Sequence, residues 1–381
     1  MKKGSRFRTY IKSYDKGILL CYLALCVIGL IVMLNISSVQ SSLQYFYKQL
    51  FFFVASFIVA LVVLYLFNFE KIRRANIYLV YLTIALLVLV LIKGVTKKGA
   101  TRAIDLKLIS LQPSFMARVA LVFLFAHILD YKNELLRATK NIFHFPKNFL
   151  ELTVLSGVVF YLIYAEKHLS SIIIAGITLL GMLWYAGIRK RIMLILLIVG
   201  VAGAFIMSNH SEAYRKQRIE TYKKYNLFFK DREVQETDQK DYQVKESLTA
   251  LTSGGLFGTG IARGRGKHYY LPEARTDYVF TIIGEEFGYF GAMVVFLLHS
   301  LLFFFAIRVS NRNENQYLRF LGVGLALNIY INVLVNTGVA MSIIPSTGNT
   351  LPFISYGGSA LMMDSVAVGA LLNISAQRRE L

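Results

Sequence analysis

Asp277 and its neighbours are the residues whose types and spacing could carry out group transfer in this chain. The stretch 271–277 reads Leu-Pro-Glu-Ala-Arg-Thr-Asp, placing Glu273, Arg275 and Asp277 at alternate positions. Just upstream, the glycine-rich run SGGLFGTGIARGRG (253–266) contributes Arg263 and Arg265, and Lys267 follows it. A carboxylate could accept the proton of an attacking hydroxyl, while clustered cations could hold an anionic headgroup or steady a departing phosphate. Asp277 is therefore the candidate general base and Glu273 the second carboxylate. Arg263, Arg265, Lys267 and Arg275 are candidate anion contacts. Structural uses compete with each role. Thr276-Asp277 ahead of an apolar run is a good helix N-cap, and the glycine run could be a flexible loop returning to the next helix. A nucleotide phosphate loop is excluded, because GxxxxGK[ST] would need Gly where Ile261 stands and Ser or Thr where His268 stands.

A second polar set follows. Asn328, Asn332 and Asn336 recur every fourth residue, which stacks three amides on one helix face. Next comes IPSTGNTLPFISYGGS (344–359), with Pro345 and Pro352 breaking any regular helix and Ser355 and Tyr356 near its end. Asn332, Asn336, Ser355 and Tyr356 are candidates for a polar wall facing substrate. Interhelical hydrogen bonding is the structural alternative.

The elements that must position these groups follow from composition. Of 381 residues, 56% are hydrophobic and 17% charged, with a mean hydropathy of +0.53. That apolar excess is beyond what soluble cores absorb. Ten apolar runs read as bilayer-crossing helices: 17–34, 50–67, 77–92, 114–129, 149–165, 169–187, 192–207, 289–307, 320–339 and 359–374. The first is too long for a signal peptide and has no clear cleavage site, so it is expected to be retained. The expected fold is an all-α polytopic membrane protein, a single transmembrane domain over residues 1–381. Lys and Arg concentrate in the short segments on the side of the N-terminus, which puts both termini in the cytoplasm. The large loop 208–276, between the seventh and eighth spans, then faces outside. The formal charge of +20 is dispersed between apolar runs, so no nucleic acid partner is expected.

Cys21 and Cys26 lie about 140° apart around a helix and cannot pair with each other. His144, His168, His210 and His268 have no ligand spacing, so no metal site is read from the protein's own residues. A divalent cation, Mg or Mn, is the one cofactor the chemistry leaves room for. Intramembrane ionisable residues are few. His127, His299 and Asp364, with Arg118, Glu285 and Glu286 nearer the helix ends, are expected to serve mainly in structural pairing. Glu285 and Glu286 are expected to meet cations at the bundle edge.

Four stretches resemble a known family: GGLFGTG (254–260), YLPEARTDYVFTIIGEEFGYFG (270–291), IIPSTGNTLPFISYGGSALM (343–362) and GALLNIS (369–375). In this order, with ten spans, they are similar to the SEDS family (shape, elongation, division and sporulation), whose branches are RodA, FtsW and SpoVE. The resemblance implies a bacterial inner-membrane glycosyltransferase of peptidoglycan synthesis. Such an enzyme polymerises lipid II, the undecaprenyl-pyrophosphate-linked disaccharide-peptide, for cell division or cell shape. It implies Asp277 as the motif aspartate, a class B penicillin-binding protein as crosslinking partner, and other divisome or elongasome membrane proteins. EKHLSS (166–171) leans toward FtsW and SpoVE. A lipid II flippase and a non-catalytic scaffold of the cell-wall complex are the competing classes. Two departures cluster. The family's QPSE-x-x-K reads Gln112-Pro113-Ser114-Phe115-Met116-Ala117-Arg118 here, and its Arg-Trp-Ile reads Arg102-Ala103-Ile104. Arg102 and Arg118 stay on as anion-binding candidates. Arg118, without the family's glutamate, is expected to need another anion such as a lipid phosphate.

Overall fold

The computed structural model describes residues 9–39, 43–97, 100–105, 110–139, 147–209, 220–225, 239–261, 263–264 and 273–380. Each apolar run identified above is occupied by a helix. These are α1 (Lys16–Val39), α2 (Gln44–Leu66), α3 (Asn76–Lys93), α4 (Pro113–Tyr131), α5 (Leu150–Ala165), α6 (Leu169–Tyr185) and α7 (Lys190–Asn209). After α8 (Gln239–Ser253), in the large loop, come α9 (Val279–Arg312), α10 (Gln316–Ala340) and α11 (Gly358–Ser375). Among the described residues, seven helices are long and apolar enough to cross a bilayer, namely α1–α4 and α9–α11; α5 and α6 are shorter apolar helices. Cys21 and Cys26 are both free and buried.

The bundle has an inside and an outside. Helices α4, α10 and α11 are mostly buried, whereas α2, α3 and α9 leave apolar faces such as Phe51, Tyr78, Val294 and Phe304 exposed. An apolar outward face is stable only against lipid. Local chemistry sets several helix ends. Pro113 sits at the start of α4, where its missing N–H costs nothing. Asn315 caps α10 by accepting hydrogen bonds from the Tyr317 and Leu318 amides.

The chain is not purely helical. Strand β1 (Thr9–Ser13) pairs antiparallel with β5 (Gln377–Glu380), so the two ends of the described chain lie side by side. Between α3 and α4, β2 (Val95–Lys97), β3 (Ala100–Asp105) and β4 (Ser110–Leu111) form a small antiparallel sheet. Backbone pairing satisfies amides that a short polar loop would otherwise leave to water. Ser359, at the start of α11, hydrogen-bonds the Ser110 carbonyl and accepts from the Gln112 amide, which ties this sheet to the bundle.

The large loop also departs from the expectation of a flexible return over its described part. Helix α8 packs on α9 and α10, with Ser247 Oγ 2.7 Å from Thr281 Oγ1 and donating to the Ala340 carbonyl at 3.0 Å. The glycine run after it docks backbone to backbone on α9. A Cβ on Gly254 would lie 2.0 Å from the Gly284 carbonyl oxygen, and one on Gly258 would lie 2.0 Å from that of Glu286. Helix α9 is itself broken at Gly288 (φ 68°, ψ −167°), a left-handed position that suits glycine. The break frees carbonyls and amides that would be costly beside lipid. Thr259 and Gly260 N–H donate to the Glu285 and Glu286 carbonyls, while Tyr289 and Phe290 N–H donate to those of Gly255 and Leu256. The exposed apolar face of α9 starts after this break, with Tyr289 and Phe290, where the apolar run begins.

Candidate active site

Asp277 lies half-buried in the turn 273–278 that leads into α9. The structure removes the capping explanation for it. The residue preceding α9 is Tyr278, no side chain caps the helix, and the Asp277 amide donates to the Glu273 carbonyl. Glu273 takes the left-handed conformation (φ 61°) and its carboxylate accepts a hydrogen bond from Thr276 Oγ1 at 3.0 Å. The second carboxylate thus helps shape the turn that presents the first.

The broken segment 341–357 forms the frame around Asp277. Asn336 Nδ2 donates to the Asp277 carbonyl at 3.0 Å and to the Asn349 carbonyl at 2.6 Å. Asn349 Nδ2 in turn donates to Asn332 Oδ1. Ser355 Oγ donates to the Thr276 carbonyl at 2.6 Å and accepts from the Leu351 amide. The Tyr356 amide donates to the Arg275 carbonyl at 2.9 Å. Asn332, Asn336, Ser355 and Tyr356 therefore meet at one place, but three of them act by holding backbone. Asn328, the third amide, is buried and its Oδ1 has no hydrogen-bond partner.

Gly348 (φ 74°) is where the two halves of the chain meet. A Cβ there would lie 3.6 Å from Asp277 Oδ2 and 3.9 Å from Arg102 Nη1. The carboxylate from the entry to α9 and the guanidinium from β3 thus close on the same glycine. Arg102 Nη2 donates to the Lys167 carbonyl at 2.6 Å in the turn between α5 and α6, and Ser170 Oγ donates to the Thr347 carbonyl at 3.2 Å. Arg275 places its guanidinium 3.9 Å from the Tyr45 ring centroid, a cation–π contact. Tyr45 packs edge-on against Tyr356. Arg263 is exposed on the glycine loop. Arg265 and Lys267 lie outside the described residues.

Arg118 sits elsewhere. It is buried inside α4 with its guanidinium 4.9 Å from the Phe115 ring centroid, and the charge acting on it is the Asp364 carboxylate of α11. Phe115 packs edge-on against His168, a buried histidine whose Nδ1 lies 2.7 Å from Ser114 Oγ and 2.9 Å from Ser171 Oγ. Two further histidines of the bundle have partners within the protein. His299 bridges the carbonyls of Val295 and Pro352, and His127 accepts from Arg73, which also pairs with Asp130 at 2.5 Å. Glu285 and Glu286 are buried rather than at the bundle edge, and Glu286 accepts from Asn35. No group of three or more His, Cys, Asp or Glu that could hold a metal occurs among the described residues.

Sequence reasoning gave Glu166 no role in the site, although the structure brings it beside Arg102. It is 0% exposed at the end of α5. Burial pushes its carboxyl up to about 8, with Arg102 drawing it back down. Its signal in the sequence was an acidic residue at an apolar helix end with no nearby cation at helical spacing.

Comparison with known proteins matches this arrangement over nearly its whole length. The chain is 33% identical over 375 residues to the probable peptidoglycan glycosyltransferase FtsW of Trichlorobacter lovleyi, covering 96% of this chain and 94% of that protein. It is 32% identical to the stage V sporulation protein E of Bacillus subtilis, covering 96% and 98%. Among solved structures, a chain of a peptidoglycan synthase complex superposes with a TM-score of 0.75 at 20% identity, covering 96% and 98%. The rod shape determining protein RodA of Thermus thermophilus does so with 0.69 at 20% identity, covering 96% and 97%. The sequence pattern of the FtsW/RodA/SpoVE family, described as cell cycle proteins, matches residues 16–380, and the chain belongs to that family.

Proposed function

We propose that the protein is a peptidoglycan glycosyltransferase that polymerises lipid II at the outer face of the bacterial inner membrane. The observation that carries this reading is the convergence of Asp277 and Arg102 on Gly348. Chain growth joins a sugar hydroxyl to an anomeric carbon whose leaving group is a lipid pyrophosphate. Asp277 would take the acceptor proton, and Arg102 would stabilise charge on the departing pyrophosphate. Arg263 and Arg275, with Arg265 and Lys267, would gather the anionic headgroup from the membrane surface. A divalent cation could add to that stabilisation when bound.

The proposed topology is one transmembrane unit of ten crossings with both termini cytoplasmic, which puts Asp277 at the outer membrane edge. A class B penicillin-binding protein is the proposed crosslinking partner. A flippase is the weaker reading. Transporters built from repeats break helices at corresponding places in both halves, whereas here the Gly288 break and the 341–357 segment both fall in the second half.

The test is turnover of purified protein on labelled lipid II, with and without its partner. Glycan strands made by the wild type but not by Asp277→Asn support the reading. Translocation of lipid II in vesicles without polymer would replace it. Topology is tested by a protease site introduced between Glu233 and Asp241, which should be cut from outside in spheroplasts and not in inverted vesicles.

A further inference from the structure

We propose that Glu166 is a positioning residue that makes Arg102 a proton-gated anion clamp. As a carboxylate, Glu166 draws the guanidinium toward the α5–α6 turn. As a neutral acid, it releases Arg102 to a phosphate arriving beside Asp277. This deepens the proposed function and rests on Asp277 and Arg102 being the two sides of a pyrophosphate-handling site.

Three observations converge on it. Glu166 is fully buried and neither carboxylate oxygen has a hydrogen-bond partner. A structural carboxylate at such depth would be expected to accept hydrogen bonds, and the charged group that acts on this one is Arg102. The turn that follows is strained. Lys167 closes α5 in the left-handed conformation (φ 61°), with its amide on the Tyr164 carbonyl and the His168 amide on that of Ile163. Glycine usually fills that helix-ending position. Its carbonyl is the acceptor for Arg102 Nη2. Arg102 therefore has one amino group anchored at the turn and the other beside Gly348 and Asp277.

Among the described residues, the charged group acting on Glu166 is Arg102 from β3, with Lys167 and His168 adjoining on its own turn; Asp277 faces Arg102 at the Gly348 side. Burial keeps Glu166 poised to change charge near about pH 8. An incoming phosphate competes for the same guanidinium, so binding is coupled to proton uptake by Glu166 from solvent. Acid conditions leave Arg102 to the ligand, and alkaline conditions return it to Glu166.

The experiment measures lipid II affinity of the full-length protein in detergent between about pH 7 and about pH 9. The esterified pyrophosphate of this probe does not titrate over that range. Wild-type affinity should weaken about fivefold toward the alkaline end, as expected when an opposite charge claims the cation. Glu166→Gln should stay near the neutral-pH affinity throughout, and Arg102→Gln should bind weakly at every pH. Glu166→Asp, which keeps the charge, should retain a pH dependence. In parallel, infrared spectra should show a protonated carboxyl band that fades with rising pH and is missing in Glu166→Gln. Arg102→Gln should shift the midpoint of that band upward, because the cation no longer favours ionisation. Unchanged pH dependence in Glu166→Gln, or a band midpoint indifferent to Arg102, overturns the proposal. Failure of lipid II to bind at any pH, with the band and its Arg102 dependence intact, leaves the coupling standing and refutes the lipid II reading.

Discussion

The two walls that meet at Gly348 are built on opposite principles. On the Asp277 side, the entry to α9, the asparagine face of α10 and the segment 341–357 are cross-bonded through backbone carbonyls and amides. On the Arg102 side, one hydrogen bond to the Lys167 carbonyl anchors the guanidinium, and the buried acid behind it is left unbonded. Glu166 has no hydrogen bond on either oxygen, and away from Gly348 the buried Arg118 likewise has none on Nε and Nη1. Hydrogen bonds fix direction, whereas an unbonded buried charge responds to whatever charge comes near it. One wall is a rigid mount for a carboxylate, and the other is a set of charges able to respond when an anion arrives.

The largest expected effect comes from the rigid wall. Asp277→Asn keeps the shape but cannot accept a proton, so polymerisation should fall by about two decades or more. The thermal midpoint should stay close to wild type, because Tyr278 precedes α9 and no side chain caps that helix. A comparable loss of stability would mean that Asp277 belongs to the frame rather than to the chemistry.

Removing the mount while leaving the carboxylate should have the next largest effect. Asn336→Leu deletes the donor to the Asp277 and Asn349 carbonyls. Leaving the buried Asn349 carbonyl unpaired should cost about 1–3 kcal/mol, with less from the half-buried Asp277 carbonyl, read by thermal unfolding in detergent. A misplaced Asp277 should lower turnover by about tenfold at saturating lipid II. Normal turnover in a destabilised variant would show that Asn336 is a packing residue only.

The responsive wall should tolerate change better. Phe115→Glu restores a carboxylate beside Arg118 in place of the ring beneath it. It should fold and keep activity within about threefold. Phe115→Ala, which leaves a hole against His168, should cost about 3–5 kcal/mol. Misfolding of the glutamate variant would show that the region has been repacked around the aromatic ring.

The smallest effect concerns stability against pH. The folded state holds the Glu166 proton more tightly than the unfolded chain, where its ordinary value is 4.5. Its contribution is therefore full below about pH 4.5 and is lost as pH rises toward about 8. Glu166→Gln should gain thermal stability over wild type progressively across that window, with no further gain above it. A constant difference at all pH values would mean that folding leaves the Glu166 carboxyl at its ordinary value.

Sequence alone reached the helices and nominated the carboxylate. Membrane helices are legible because each apolar run must satisfy its own backbone, so length and composition are sufficient. The start of the eighth apolar run at Tyr289, directly after the Gly288 break, follows from that logic. Asp277 was legible because an acid beside cations at the end of an apolar run is rare, though the capping alternative stayed open until the geometry of Tyr278 closed it. The strand pairs β1–β5 and β2–β3–β4 were not legible. Their partners are remote in sequence or lie in a short polar loop without clear alternation. Tertiary structure alone decided that Asn336 holds backbone while Asn332 holds the Asn349 side chain, that Arg118 and Asp364 act on each other, and that Glu166 lies on the turn whose Lys167 carbonyl anchors Arg102. These contacts join positions from about 13 to about 250 residues apart. No local periodicity encodes which buried charge meets which, because packing of the whole bundle sets those distances and they decide the chemistry of the site.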